Sequence, residues 1–122
     1  MAYLDHTIVP SHDKEASAKF IAKIFGLEYK GPWGPFAPVK FNETLSMDFG
    51  ERPEVHHNHY AFIVTDEEFD AIFQRIKDEG IPYGSGPRSV DDMQINHLYE
   101  GRGFYFPDAN GHTWEVITHT YV

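Results

Sequence analysis

Cysteine is absent from the 122 residues of this chain. That excludes disulfides, thiolate metal sites and a cysteine nucleophile together. No apolar run approaches the ~18 residues that a membrane-spanning helix requires. The residues after Met1 show no charged-then-apolar leader, so a cytoplasmic protein is expected. Positive charge is scarce as well. Lys and Arg total 10 against 19 Asp and Glu, a formal charge of -9. There is no basic stripe to neutralise phosphates, which argues against nucleic acid as a partner. No linker is long enough to separate two free domains. What is present suffices for a core: hydrophobic residues make up 41% of the chain and aromatics 16%, which excludes intrinsic disorder. The unusual count is histidine, with 8 in a short chain.

The chain compares well with itself. When His6 is laid over His59, Asp13 falls on Asp66, Glu15 on Glu68, Ala18 on Ala71 and Phe20 on Phe73. One residue further on, Gly26-Leu27-Glu28-Tyr29 falls on Gly80-Ile81-Pro82-Tyr83. Each half opens with a run of β-formers, Tyr3 to Val9 and His59 to Val64. A helical pattern follows each run. In the first half Ala16, Phe20 and Ile24, with Ile21 and Phe25, recur at i, i+4, and Gly26 ends the helix. In the second half Phe69, Ile72, Phe73 and Ile76 form one apolar face, preceded by a Thr65 to Glu68 capping box and stopped by Gly80 and Pro82. Strand candidates come next: Glu28 to Lys30, Val39 to Phe41 and Thr44 to Phe49, then Ile95 to Tyr99, Gly103 to Phe106 and Thr113 to Thr118.

The expectation is an α+β fold of two tandem βαβββ units, approximately 1-52 and 53-122, within one domain over 1-122. A unit of about 55 residues is marginal alone. The two mixed sheets are therefore expected to pair around a curved cavity, helices outside. An α+β sandwich without a repeat is the plainer alternative.

Strand parity selects the histidines that can meet. Tyr60, Phe62 and Val64 are bulky and suit the helix side of their strand, which turns His59 and the small Ala61 the other way. Pseudo-symmetry gives His6 the same place. On the last strand Trp114 and Val116 suit the helix layer, so Glu115 points inward. A carboxylate withdrawn from water needs a partner or a proton. Two imidazoles and one carboxylate offer a divalent-metal site with an open face. A single strand histidine is more often a hydrogen-bonded core or rim residue than a ligand, and a single inward Glu more often a rim carboxylate. The repeat is what brings equivalent positions to one place. His57 lies two residues from His59 on the same face, ~7 Å away by strand geometry, within reach of an acid-base role. His12, His56 and His119 read as solvated or structural, and His112 is assigned no role. Trp33, Phe36 and Phe41 are expected at the cavity mouth, and the apolar Trp33 and Phe36 to favour a homodimer.

Three segments, Leu4-Asp5-His6-Thr7-Ile8-Val9, His59-Tyr60-Ala61-Phe62-Ile63-Val64 and Asp108-Ala109-Asn110-Gly111-His112-Thr113-Trp114-Glu115, resemble the vicinal-oxygen-chelate superfamily. That superfamily includes glyoxalase I, extradiol dioxygenases, fosfomycin-resistance enzymes and bleomycin-binding proteins. The resemblance implies the paired βαβββ units and metal ligands at His6, His59 and Glu115. Ile95-Asn96-His97, Phe104-Tyr105, Asp108, Gly111 and Glu115 resemble the extradiol dioxygenase signature. It implies that His97 and Tyr105 assist substrate and oxygen beside an iron. Those enzymes carry an acid-base histidine well upstream of the second metal histidine; here only His57 can deputise. The function implied is Fe(II) dioxygenase-like chemistry on a small molecule chelating through adjacent oxygens. Non-oxidative glyoxalase- or fosfomycin-resistance-type chemistry with Mn, Ni or Zn is the alternative, as is a bleomycin-resistance-like binding protein. Asp48 is a candidate fourth ligand of glyoxalase I type. Arg88 and Arg102 are the cations nearest to hand for a phosphonate.

Overall fold

A computed structural model describes all residues 1–122. The fold is α+β. Its elements are β1 (His6–Ser11), α1 (Lys14–Phe25), β2 (Phe36–Lys40), β3 (Ser46–Glu51), β4 (His59–Ile63), α2 (Asp66–Asp78), β5 (Gly103–Pro107) and β6 (Thr113–Ile117), with a 3-10 turn at Leu98–Glu100 before β5. The chain divides into two compact units, Met1–His56 and His57–Val122.

The repeat seen in the residues is repeated in the ladders. The first unit's sheet runs β1-β3-β2 and the second's β4-β6-β5. In each, the first strand is parallel to the last and the middle one antiparallel to it. The registers also correspond. His6 stands opposite Ser46 and Ile8 opposite Asp48; His59 stands opposite Thr113 and Ala61 opposite Glu115. Asp48 is thus the first unit's counterpart of Glu115.

Helix α1 begins where the Asp13 side chain accepts from Ala16 N–H at 3.1 Å and ends at Gly26 in the left-handed region, φ 70°. There the Leu27 N–H reaches back to the Ala22 carbonyl at 2.7 Å. Helix α2 has the expected capping box: Thr65 Oγ1 accepts from Glu68 N–H at 3.1 Å and Glu68 Oε1 accepts from Thr65 N–H at 2.8 Å. Ile21 and Ile24 bury one face of α1, while Ala16 stays exposed. In the second unit Phe69 and Phe73 of α2 set their rings 5.3 Å from that of Phe104 on β5. Trp114 and Val116 are fully buried, and Phe62 stacks on Trp114 at 6.0 Å.

Two expected strands do not form, leaving three strands paired in each unit. Glu28 to Lys30 has no ladder partner. Tyr29 instead turns back to α1, where its hydroxyl donates to Glu15 Oε1 at 2.9 Å. The following Gly31-Pro32 and Gly34-Pro35 suit a loop, since proline brings no N–H to a ladder. Ile95 to Tyr99 contributes one bridge, Asn96 to Gly103. Pairing stops there because Tyr99 and Glu100 adopt left-handed φ values of 57° and 62°.

The Tyr29–Glu15 bond makes a pH-dependent contribution. Burial, then the bond to Glu15, push the Tyr29 hydroxyl up to about 12. A folded-state value above the unfolded ~10 favours the neutral form. The contribution is therefore complete below pH ~10 and lost as pH rises through the folded value. Tyr29→Phe should lower the unfolding free energy by about 1 kcal/mol at pH 7. In urea denaturation the gap between the two proteins should close at strongly alkaline pH. A gap that stays constant would show that the hydroxyl's ionisation is not linked to folding.

Candidate functional site

The second unit gathers the chemistry. Parallel register puts His59 on β4 two residue pairs away from Glu115 on β6, on the same face, and the small Ala61 opposite Glu115 leaves room for the imidazole. His59 Nε2 lies 2.8 Å from Glu115 Oε1. On the other side of β6, Tyr105 stands directly opposite Glu115. Its ring centroid is 5.7 Å from that of His59. Burial, then the hydrogen bond from its hydroxyl to the Glu115 carboxylate, push Tyr105 up to about 12. The hydroxyl therefore keeps its proton at neutral pH. His59, Tyr105 and Glu115 line a cavity of about 250 Å³ together with Asn96, Leu98, Tyr99, Arg102, Ile117, His119 and Tyr121.

The turn before β6 sets this geometry. Asp108 Oδ1 accepts from the backbone N–H of Asn110 and of His112, both at 2.9 Å. Its Oδ2 accepts from Trp114 Nε1 at 3.0 Å. His112 is fully buried, and its Nδ1 accepts from Asn58 N–H at 3.0 Å, tying the turn to the start of β4. No spacing in the sequence marks His112 as a fastener; the signal exists only once β4 and β6 are paired. His57 precedes β4 and is exposed. Its imidazole lies against Gly111, where a Cβ would come within 2.6 Å of Nε2.

His6 belongs to the first unit. Its Nδ1 is 2.7 Å from Asp5 Oδ2, and that hydrogen bond raises the imidazole above its ordinary value, with Asp48 adding a smaller electrostatic contribution. Asp48 accepts from Ser46 Oγ at 2.6 Å. Asp5, His6, Ser46 and Asp48 line a cavity of about 470 Å³ with Ile8, Trp33, Phe36 and Pro38. Phe41 is elsewhere, set edge-on to Phe25 at 5.0 Å.

His97 is exposed at the start of the 3-10 turn, without a side-chain cap bond. Its neighbours Asn96 and Leu98, rather than His97, line the cavity around His59. Arg102 is committed to α2. It donates to Asp70 Oδ1 at 2.7 Å and Asp66 Oδ1 at 3.0 Å, and lies 4.3 Å from the centre of the Phe69 ring. Arg88 is exposed on the preceding loop. No spacing in the sequence marks Tyr99 and Tyr121 as neighbours, yet their rings are 5.9 Å apart. Tyr99 and Glu100 are consecutive non-glycine residues in the left-handed region, which costs about 1–3 kcal/mol each and persists where the surroundings enforce it.

The donors suit a divalent metal. An imidazole nitrogen and a carboxylate oxygen 2.8 Å apart are close to the separation of two neighbouring ligands with bonds of about 2.0–2.2 Å. No three His, Asp or Glu side chains come together in an arrangement that would hold a metal ion. His59 and Glu115 are the pair that could hold such an ion from one face of the sheet.

Residues 3–116 match the Glyoxalase/Bleomycin resistance protein/Dioxygenase superfamily. Among solved structures, the chain is similar to one named oxidase ChaP-H2, at 45% identity and TM-score 0.93, over 98% of this chain and 95% of that one. It is also similar to oxidase ChaP-H1, at 41% identity and TM-score 0.93, over 99% and 98%. A curated relative, glutathione transferase FosA of Serratia marcescens, is 28% identical over 120 residues, 93% of this chain and 78% of that protein.

Gly111 gives a direct test of the turn. It sits at φ 83° with His57 against it, so Gly111→Ala should destabilise by at least about 1 kcal/mol from backbone strain alone. In a His57→Ala background the penalty should shrink without vanishing, because the contact is relieved and the strain is not. Equal penalties in both backgrounds, measured by urea midpoint, would remove His57 from the account.

Proposed function

The chain belongs to the glyoxalase/bleomycin resistance protein/dioxygenase superfamily, and from that premise we propose an Fe(II)-dependent oxygenase acting on a small molecule that chelates through two adjacent oxygens. The observation that carries this reading is the His59–Glu115–Tyr105 group on one sheet face. In it an imidazole and a carboxylate suited to a metal stand beside a phenol that keeps its proton. His59 and Glu115, with His6 from the first unit, are the proposed ligands. An iron held by these residues would supply the activation of dioxygen. Tyr105 holds a proton beside Glu115 and is placed to share it with a substrate oxygen. His97 and His57 are proposed to assist: His97 from the turn beside the cavity, His57 as the acid-base histidine nearest to His59.

Oxidative chemistry is favoured over a transferase reaction by two observations. Identity with the two proteins named oxidases is 45% and 41%, against 28% with the glutathione transferase. Arg102, the cation in the cavity wall, is paired with Asp66 and Asp70, so an anionic phosphonate would have to displace two carboxylates. Mn, Ni or Zn with activity stable in air would favour the non-oxidative alternative. No helix is long and apolar enough to cross a membrane, and the reading is of a cytoplasmic enzyme.

Glu115→Ala should lose most divalent metal by elemental analysis, since it removes the charged ligand. Tyr105→Phe should keep the metal and slow turnover by about 10²-fold, the usual contribution of one acid-base group. The assay is oxygen uptake with a catechol panel after anaerobic Fe(II) loading. No uptake by iron-loaded wild-type protein would overturn the oxygenase. Normal uptake by Tyr105→Phe would take this residue out of the reaction.

We further propose a homodimer. Trp33 is 74% exposed and Leu4 65%, surface that an apolar partner would cover. Light scattering should give twice the chain mass at micromolar concentration; a monomer mass would refute it.

A further inference from the structure

Besides His59, one histidine stands in the wall of the second unit's cavity, and it is His119 rather than His57 or His97. In the chain it lies two positions past the end of β6. Its backbone is nevertheless tied down. The β5–β6 ladder runs on by one pair: Thr118 N–H donates to the Arg102 carbonyl at 3.0 Å, and Thr118 Oγ1 accepts from Arg102 N–H at 2.9 Å. Gly101 allows a close approach, since a Cβ there would lie 3.0 Å from that of His119 and 2.7 Å from Thr118 Oγ1. Further on, Tyr121 sets its ring 5.9 Å from that of Tyr99. We propose that His119 is the proton acceptor of this cavity, taking on Nε2 the proton that a substrate hydroxyl releases as its oxygen meets the metal at His59 and Glu115. The proposal rests on the reading above for the metal, and on the cavity wall for the base.

Two observations support it. The first is the tautomer of the ring. His119 Nδ1 lies 3.0 Å from the Thr118 carbonyl oxygen. A carbonyl only accepts, so the neutral imidazole carries its hydrogen on Nδ1 and its lone pair on Nε2. Nε2 makes no hydrogen bond within the chain. The second is the state of the other groups around the same space of about 250 Å³. Tyr105 is pushed up to about 12 by burial and by its bond to Glu115, so it holds a proton and can give one. His59 and Glu115 meet at 2.8 Å and are the proposed metal ligands. Arg102 is a cation paired with Asp66 and Asp70, with no lone pair to offer. In the transfer, the O–H electron pair stays on the substrate oxygen and the proton adds to Nε2. The imidazolium keeps its Nδ1–H bond to the Thr118 carbonyl, strengthened by the new charge. Tyr105 and His119 thus divide the work, one giving a proton and the other receiving it.

The test counts protons with 4-nitrocatechol, whose colour reports its ionisation, added without oxygen to the zinc-loaded full-length protein. Absorbance gives the protons lost by the bound probe. Calorimetry in two buffers of different ionisation heat gives the protons that reach the buffer. In wild type the first count should exceed the second by about one, the proton kept by a single base. In His119→Gln the difference should fall to about zero, because no base remains to keep the proton. His119 is exposed, so this variant should hold its zinc, by elemental analysis, and its thermal midpoint. A difference near zero in wild type, or one that survives in His119→Gln, would overturn the proposal. Loss of zinc from His119→Gln would make the residue a ligand and overturn it as well. A difference that depends on His119, in a protein whose iron form takes up no oxygen, would support the proposal and overturn the oxygenase reading alone. Failure of zinc-loaded wild type to bind the probe would overturn both.

Discussion

Asp108 is the constraint on which the second unit's site depends. One carboxylate accepts from two backbone N–H groups of its own turn and from the Trp114 indole. Hydrogen bonds to a charged acceptor are among the stronger ones in a folded protein. Their effect here is positional. Trp114 is fixed inward at the start of β6, and strand alternation then requires Glu115 to face the other way. A slip of one residue would exchange the two, burying a carboxylate and exposing an indole. Each of those outcomes is unfavourable, so the register is strongly specified.

The same register makes the two units comparable and shows where they differ. Asp48 occupies the ladder position of Glu115, and Pro38 that of Tyr105. The first unit thus has a carboxylate one methylene shorter and no phenol beside it. Its carboxylate accepts from Ser46, whereas that of Glu115 meets an imidazole and a phenol. A shared backbone plan carries a hydrogen-bonded polar patch in one unit and a proton-holding, metal-suited group in the other. Pro38 is tolerated because β2 is an edge strand, where a missing N–H leaves no ladder bond broken inside the sheet.

The second unit also combines rigid and strained parts. Capped α2, the Phe69–Phe104 contact and the Asp108 turn hold the sheet. Against that frame, the Leu98–Glu100 turn retains a backbone shape unfavourable for its residues. Strain of this kind survives where neighbouring bonds over-determine it, here those of Asn96 and Gly103. Placing the exposed Tyr99 on such a turn sacrifices local stability beside the cavity, as is common at functional sites.

Much was legible from the residues. Helical periodicity, the Thr65–Glu68 capping box and Gly26 determined where α1 and α2 run, because these signals act within a few residues. Alternation in β4 and β6 determined that His59 and Glu115 leave the core side, since large apolar side chains compete for it. Tertiary structure decided the rest. Glu28 to Lys30 and Ile95 to Tyr99 have strand-like composition, but a strand exists only when another backbone meets its N–H and C=O groups. Tyr29 found Glu15 and Asn96 found Ser85 instead. The fastening role of His112, the contact of His57 with Gly111, and the presence of Asn96 rather than His97 in the cavity wall depend on residues distant in sequence. Local sequence sets which way a side chain leaves its own backbone; what it then meets is set by strand pairing and turn shape, which bring distant residues together.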